Sequence, residues 1–128
     1  MSSRPPWQLY FITDARRRYV KIGLSRDAAR RLTDLQAGSP LTLRIDLILH
    51  DCDRRDEERL HHAYAYHWRH REWFDYPAEL KARVDAARIA GEWTWEGIPA
   101  RRSAYDSSFG GFLSRYDMLA AIKTEPGI

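Results

Sequence analysis

Two short runs rich in aromatic and β-branched residues, Gln8 to Thr13 and Tyr19 to Leu24, are separated only by the polar stretch Asp14-Ala15-Arg16-Arg17-Arg18. This arrangement reads as two antiparallel strands joined by a hairpin loop. Alternation sorts their side chains, with Tyr10 and Ile12 on one face of the first strand and Tyr19 and Lys21 on one face of the second. Asp27 is suited to cap a helix that runs to Ala37, with Gly38 at its end and Pro40 beyond. The apolar stripe of that helix is Ala28, Leu32 and Leu35. Arg31 falls inside the stripe by its i+3 and i+4 relations, whereas Arg30 is turned away. Leu43, Ile45, Leu47 and Leu49 then alternate with their neighbours as in a strand with one buried face. Residues from about Asp53 to His70 read as a long helix. Pro77 to Ala90 reads as another, begun by proline at a first-turn position and stopped by Gly91.

The expected fold is therefore α+β, a three-stranded antiparallel sheet flanked by helices, occupying residues 7–90. Residues 91–128 form a C-terminal extension in which Trp93, Trp95 and Gly97-Ile98-Pro99 pack on the core and residues 111–123 form a short last helix. A chain of 128 residues with 44% hydrophobic and 30% charged residues has room for one core. The single cysteine, Cys52, excludes an intramolecular disulfide framework and a cysteine-rich zinc site. No apolar stretch is long enough to span a bilayer, and the start, MSSRPPWQ, lacks the apolar core of a signal peptide, so the cytoplasm is the expected location and no membrane partner is expected.

Lys and Arg number 21 against 18 Asp and Glu, for a net charge of +3, which permits a polyanionic partner. The arginines cluster early. Arg16, Arg17, Arg18, Arg26 and Arg30, together with Lys21, make a local positive surface suited to nucleic-acid phosphates, a plain solvated charge run being the bland alternative.

Within the 53–70 helix, Leu60, Tyr64 and Trp68 lie within roughly 60° of Glu57, while Glu58 points away from them. Glu57 thus faces inward, which is costly for a carboxylate unless it is paired or binds a cation. Arg31 and Glu57 are both charged residues on apolar stripes, and a meeting between them explains both. A buried ion pair without chemical role is the plainer form of that meeting.

In order, LYFI at 9–12, VKIG at 20–23, RRLTDLQAGSP at 30–40, EERLHHAY at 57–64 and REWF at 71–74 resemble the signature strings of the GIY-YIG endonucleases, in the small bacterial and phage-type branch whose second motif reads VKIG. The resemblance covers roughly the first three fifths of the chain. It implies a nuclease that hydrolyses phosphodiester bonds in nucleic acid, DNA in preference to RNA, leaving a 5′ phosphate and a 3′ hydroxyl. Glu57 matches the family's metal-binding glutamate, with Mg²⁺ or Mn²⁺ as the cofactor; one carboxylate plus waters is ligation that suits such a hard cation. Arg31 matches the family arginine, whose planar fork suits a phosphate oxygen in the transition state. Tyr10 matches the tyrosine of the first motif, where it would position or deprotonate the attacking water. His61 lies one turn beyond Glu57, able to orient it or to contact phosphate.

Lys21 stands where the second-motif tyrosine is found in other branches. It could contact the scissile phosphate as a point charge, or Tyr19 on the same strand face could supply the hydroxyl. Gly23 is expected to serve the turn into the helix. Glu72 occupies the neighbourhood where many relatives carry asparagine, Trp73 and Phe74 read as core closure, and His62, His67 and His70 lack the ligand spacing of a zinc site. The rival class is a GIY-YIG-like module that binds nucleic acid or protein without cutting. A homodimer fits the need to cut two strands with one site.

Overall fold

The computed structural model describes residues 6–100, 105–106 and 111–112. Its main sheet is built around β1 (Gln8–Asp14) and β2 (Tyr19–Ser25), the expected hairpin, with Tyr10 opposite Gly23 and Ile12 opposite Lys21. β3 (Leu43–His50) pairs antiparallel with the other side of β1. The turn between β1 and β2 is set by Asp14, whose carboxylate accepts from the backbone N–H groups of Arg18 and Tyr19, both at 2.9 Å. Aspartate side chains commonly hold turns in this way.

The sheet has five strands rather than three. The stretch expected to be one helix from Asp53 to His70 is α2 (Arg54–Ala63), a 3-10 turn (Ala65–His67) and β4 (Trp68–His70), followed by β5 (Trp73–Asp75). The full order is β3-β1-β2-β5-β4, antiparallel throughout. Helical periodicity had carried Trp68 into the helix. It packs on the same core as Leu60 and Tyr64, but from a strand opposite Phe74. α2 itself starts at a capping box, in which Asp53 accepts from Asp56 N–H and Asp56 returns the bond to Asp53 N–H.

β1 is buried on both faces because helices cover both. α1 (Ala28–Ala37) covers one, packing Leu32 and Leu35 against Tyr10, Ile12, Leu43 and Ile45. Asp27 caps it, accepting from Arg30 N–H at 3.1 Å. α2 and α3 (Ala78–Ala90) cover the other with Leu60, Leu80 and Val84 against Leu9, Phe11, Val20, Ile22 and Phe74. α3 ends, as expected, at Gly91 in the left-handed conformation (φ 78°). Strict alternation along β3 fails at one point. The pairing slips between Phe11 and Ile12, so Leu43 and Ile45 face α1 while Leu47 and Leu49 pack on the other side. The residue at the slip, Asp46, is buried and accepts from Tyr76 Oη (2.7 Å) and Arg17 Nε (2.9 Å).

Beyond α3, Trp93 stacks on Phe11 with ring centroids 5.4 Å apart, Ile98 is buried, and Arg59 donates to the carbonyls of Ile98 and Pro99. The expected Trp-rich packing is thus present. Tyr105–Asp106 and Gly111–Phe112 pair as two further short strands. Gly111 and Phe112 therefore do not begin the helix expected over 111–123, and the rest of that helix falls outside the described residues. Among the described residues no helix is long and apolar enough to cross a membrane.

Candidate active site

The site begins with a missing side chain. Gly23 lies within β2, not at a turn as expected, and the phenol of Tyr10 crosses over it from β1. A Cβ at residue 23 would stand 2.5 Å from Tyr10 Oη, 2.7 Å from its Cζ and 3.2 Å from Glu72 Oε1. Glycine is therefore required for close approach, not for backbone conformation.

Two further elements bring groups to this point. Glu57 and His61 stand one turn apart on α2, and Glu72 comes from the turn between β4 and β5. One potential ligand atom from each of the three lies within 4.8 Å of the others. Lys21, buried on β2, places Nζ 3.0 Å from Glu72 Oε1. Burial would raise the Glu72 carboxyl, but the Lys21 charge and hydrogen bonds with Glu57 and Lys21 outweigh it and hold Glu72 below its ordinary value. It is Lys21, and not Tyr19, that reaches this carboxylate. Tyr19 sits two residues earlier on the same face, beneath the guanidinium groups of Arg18 and Arg69.

His61 is buried, with its ring against Phe74 and Nε2 2.7 Å from the carbonyl oxygen of Ile22. A ring nitrogen at that distance from a carbonyl must carry hydrogen, so Nε2 donates, leaving Nδ1 as the ring atom that could serve as a ligand. Such a backbone contact fixes the ring of a ligating or orienting histidine.

Tyr10 is raised to about 12, chiefly by burial; a hydrogen bond to Arg31 opposes the rise, and the Glu72 carboxylate adds to it. At neutral pH the phenol keeps its proton and can donate a hydrogen bond. Arg31 was expected inside the apolar stripe of α1. The residue is exposed instead, and its long side chain brings only the guanidinium to Tyr10.

The expected arginine surface divides. Arg17 is turned inward, pairing with Asp46 at 2.9 Å and Asp85 at 2.8 Å, so its charge is already engaged by two carboxylates. Its inward direction follows the backbone, since Arg17 adopts φ 54° in the tight turn. Arg18 pairs with Asp14 at 3.2 Å, while Arg16 is exposed. This turn is at the far end of the hairpin from Gly23, at least about 13 Å along the strands. Arg26 is exposed and stacks on Trp7 at 4.9 Å, and Arg30 is exposed on α1 beside Arg31; both lie at the Tyr10 end. His62 and His70 are exposed and His67 is half-buried.

Glu72 is the residue of the constellation that sequence reasoning did not assign. Its signal was present in the string Glu72-Trp73-Phe74, because a strand in which Phe74 closes the core brings the preceding turn to the edge of β2. The chain belongs to the T5orf172 domain family, whose model matches residues 8–93, about two thirds of the chain. T5orf172 domains occur in phage-type, nuclease-like proteins, which agrees with an acid-rich, arginine-bearing site. No curated protein and no solved structure matches the chain.

Proposed function

We propose that the protein is a metal-dependent endonuclease of GIY-YIG type that hydrolyses phosphodiester bonds in DNA. The observation that carries this reading is the convergence of Tyr10, Lys21, Arg31, Glu57, His61 and Glu72 around Gly23, drawn from β1, β2, α1, α2 and the β4–β5 turn. Two carboxylates and an imidazole with donor atoms within 4.8 Å of one another fit a divalent cation such as Mg²⁺ or Mn²⁺, since two adjacent carboxylates call for positive charge between them. Glu57 would be the principal ligand, with Glu72 and His61 beside it. Bound there, the ion would neutralise phosphate charge and lower the pKa of a coordinated water.

The chain's own groups supply the rest. The protonated Tyr10 hydroxyl orients the attacking water or a phosphate oxygen by donating to it. Arg31, hydrogen-bonded to Tyr10 and open to solvent, is free on its outer side to hold the phosphate as negative charge grows. Lys21 holds Glu72 in place and adds positive charge beneath the phosphate. Arg26 and Arg30 extend the cationic surface along the bound strand. In the net reaction the oxygen of water bonds to phosphorus, the bond from phosphorus to the 3′ oxygen breaks, and that oxygen leaves with a proton.

Conversion of supercoiled plasmid to nicked and linear forms with Mg²⁺ or Mn²⁺ tests the reading. Wild type should cut, and Glu57→Ala and Arg31→Ala should each cut on the order of 10²-fold more slowly or not at all. A folded wild type that leaves single-stranded, duplex and branched DNA intact with both metals would leave the rival reading, a module that binds without cutting. The Lys21–Glu72 ion pair is the observation in that rival's favour, because it already engages one carboxylate.

A further inference from the structure

A cleft of about 430 Å³ opens on the face of the sheet that α1 covers, at the hairpin end, lined by Tyr19, Leu35, Pro40, Leu41, Leu43 and Trp73, with Arg69 and His70 at its rim. It is continuous with the candidate active site through one residue. Trp73 forms part of its wall, and Lys21 Nζ, 6.0 Å from the Trp73 ring centroid, is also the ammonium bound to Glu72. On β2 the order is Tyr19 in the cleft, Lys21 between, and Gly23 under Tyr10. Successive residues on one strand face are about 7 Å apart, and Tyr19 is two such steps from Gly23, so the cleft begins roughly two nucleotides from the place where the phosphate would be cut.

The lining matches one class of occupant. Two aromatic rings and four apolar side chains offer stacking and burial to a flat, weakly polar group, while the rim carries the Arg69 guanidinium, paired at the surface with Asp75 at 3.6 Å. Arg69 is exposed and lies over the Tyr19 ring at 5.8 Å. The one carboxylate in the wall, Asp14, is bound up with Arg18 and the backbone N–H groups of Arg18 and Tyr19. An apolar slot with a cationic lip, leading into a phosphate-handling site, is complementary to a nucleobase joined to its phosphodiester.

We propose that this cleft takes an unstacked nucleobase of the substrate strand, about two nucleotides from the scissile phosphate, so that the enzyme acts on single-stranded or locally opened DNA. This rests on the endonuclease reading for the position of the phosphate. A base paired within intact duplex cannot enter a slot walled by Tyr19, Trp73 and Leu41, and extruding it costs stacking that a single-stranded or distorted site has already lost.

The test separates base recognition from cleavage. Equilibrium binding of a labelled single-stranded oligonucleotide and of the matching duplex is measured in EDTA, where no cutting occurs, for wild type, Tyr19→Ala, Tyr19→Phe and Arg69→Ala. A second set of oligonucleotides carries one abasic position, moved along the strand. Wild type should prefer the single strand, one abasic position should weaken binding on the order of tenfold, and Tyr19→Ala should weaken the intact strand similarly and erase the abasic effect. Tyr19→Phe keeps the ring and should bind like wild type, which guards against a loss that is only misfolding. Binding indifferent to the base and to Tyr19 overturns the proposal even if wild type cuts DNA. Base-dependent binding by a protein that never cuts sustains the cleft and removes the endonuclease reading.

Discussion

Tyr10 Oη stands 2.5 Å from the point that a Cβ of residue 23 would occupy, so the position of the phenol depends on the absence of a side chain on the neighbouring strand. Distances below 3.0 Å do not occur for real Cβ atoms, and Tyr10 is only 1% exposed, so it cannot swing aside into solvent. Gly23→Ala should destabilise the fold by about 1–3 kcal/mol, the usual range for overpacking. It should also displace the phenol from Arg31. Urea unfolding of Gly23→Ala, Tyr10→Ala and the double variant measures the conflict directly. The alanine at 23 should cost much less when Tyr10 is already truncated, and equal costs in both backgrounds would refute the clash.

Cation binding should be visible in stability before any activity is assayed. Mn²⁺ at about 100 times its dissociation constant should stabilise the wild type by about 2.7 kcal/mol. The gain should vanish in Glu57→Ala and shrink in Glu72→Ala, because the donor atoms of these residues and His61 lie within 4.8 Å of one another. Thermal melts with and without Mn²⁺ decide this. A wild type whose Tm ignores the metal would remove the cation site.

Asp46 has no exposed side-chain surface and is approached by Arg17, Arg44, Arg88 and Tyr76. Removing one partner of a buried ion pair costs about 3–5 kcal/mol. Asp46→Ala should fall near 3 kcal/mol, because its arginine partners keep access to water. Urea denaturation reads the loss, and plasmid cleavage measured well below the melting temperature should be retained, since the cluster lies at the hairpin end.

Acid should loosen the β1–β2 turn. Burial by itself would raise the Asp14 carboxyl, but hydrogen bonds from the backbone of Tyr19 and from the side chain and backbone of Arg18 outweigh it and hold it below its ordinary 3.8. A carboxyl depressed in the folded state contributes stability that is complete above the unfolded value and is lost as the pH falls through the folded one. Stability should therefore drop below about pH 4, and the drop should be shallower in Asp14→Asn. Chemical denaturation at pH 7, 5 and 3 for both proteins measures the difference; identical pH profiles would show that Asp14 carries none of it.

The hairpin, α1, β3 and α3 were legible because each is signalled locally, by alternation, by the Asp27 cap and by Gly91 as a stop. β4 and β5 were not, since strands of three residues are too short to show a period, and Trp68 also fits the helical stripe of Leu60 and Tyr64. The slip at Asp46 was hidden for a different reason. Leu43 to Leu49 alternates cleanly in sequence, and only pairing with β1 and the arginines brought from the turn and α3 shows that the two halves face opposite ways. Glu57, Arg31 and Tyr10 could be named from their motifs, and Glu57 also from its inward position. Glu72 depends on a β-turn between two strands that sequence did not reveal, and Arg17 on a left-handed residue in a turn that looked like a surface charge run.

The hydrogen bond from His61 to the carbonyl of Ile22 reaches past the site itself. The backbone of Ile22 faces away from β1, with its N–H satisfied by the carbonyl of Glu72 and its carbonyl satisfied by an imidazole instead of another strand. An open strand edge invites pairing with a second chain, and proteins ordinarily blunt such edges with charge, proline or a covering helix. Here the covering groups are those assembled for chemistry, so one set of side chains both forms the site and shields the sheet from self-association. Loss of His61 would then be felt first as a tendency to aggregate, and catalytic decline and insolubility would share a single cause.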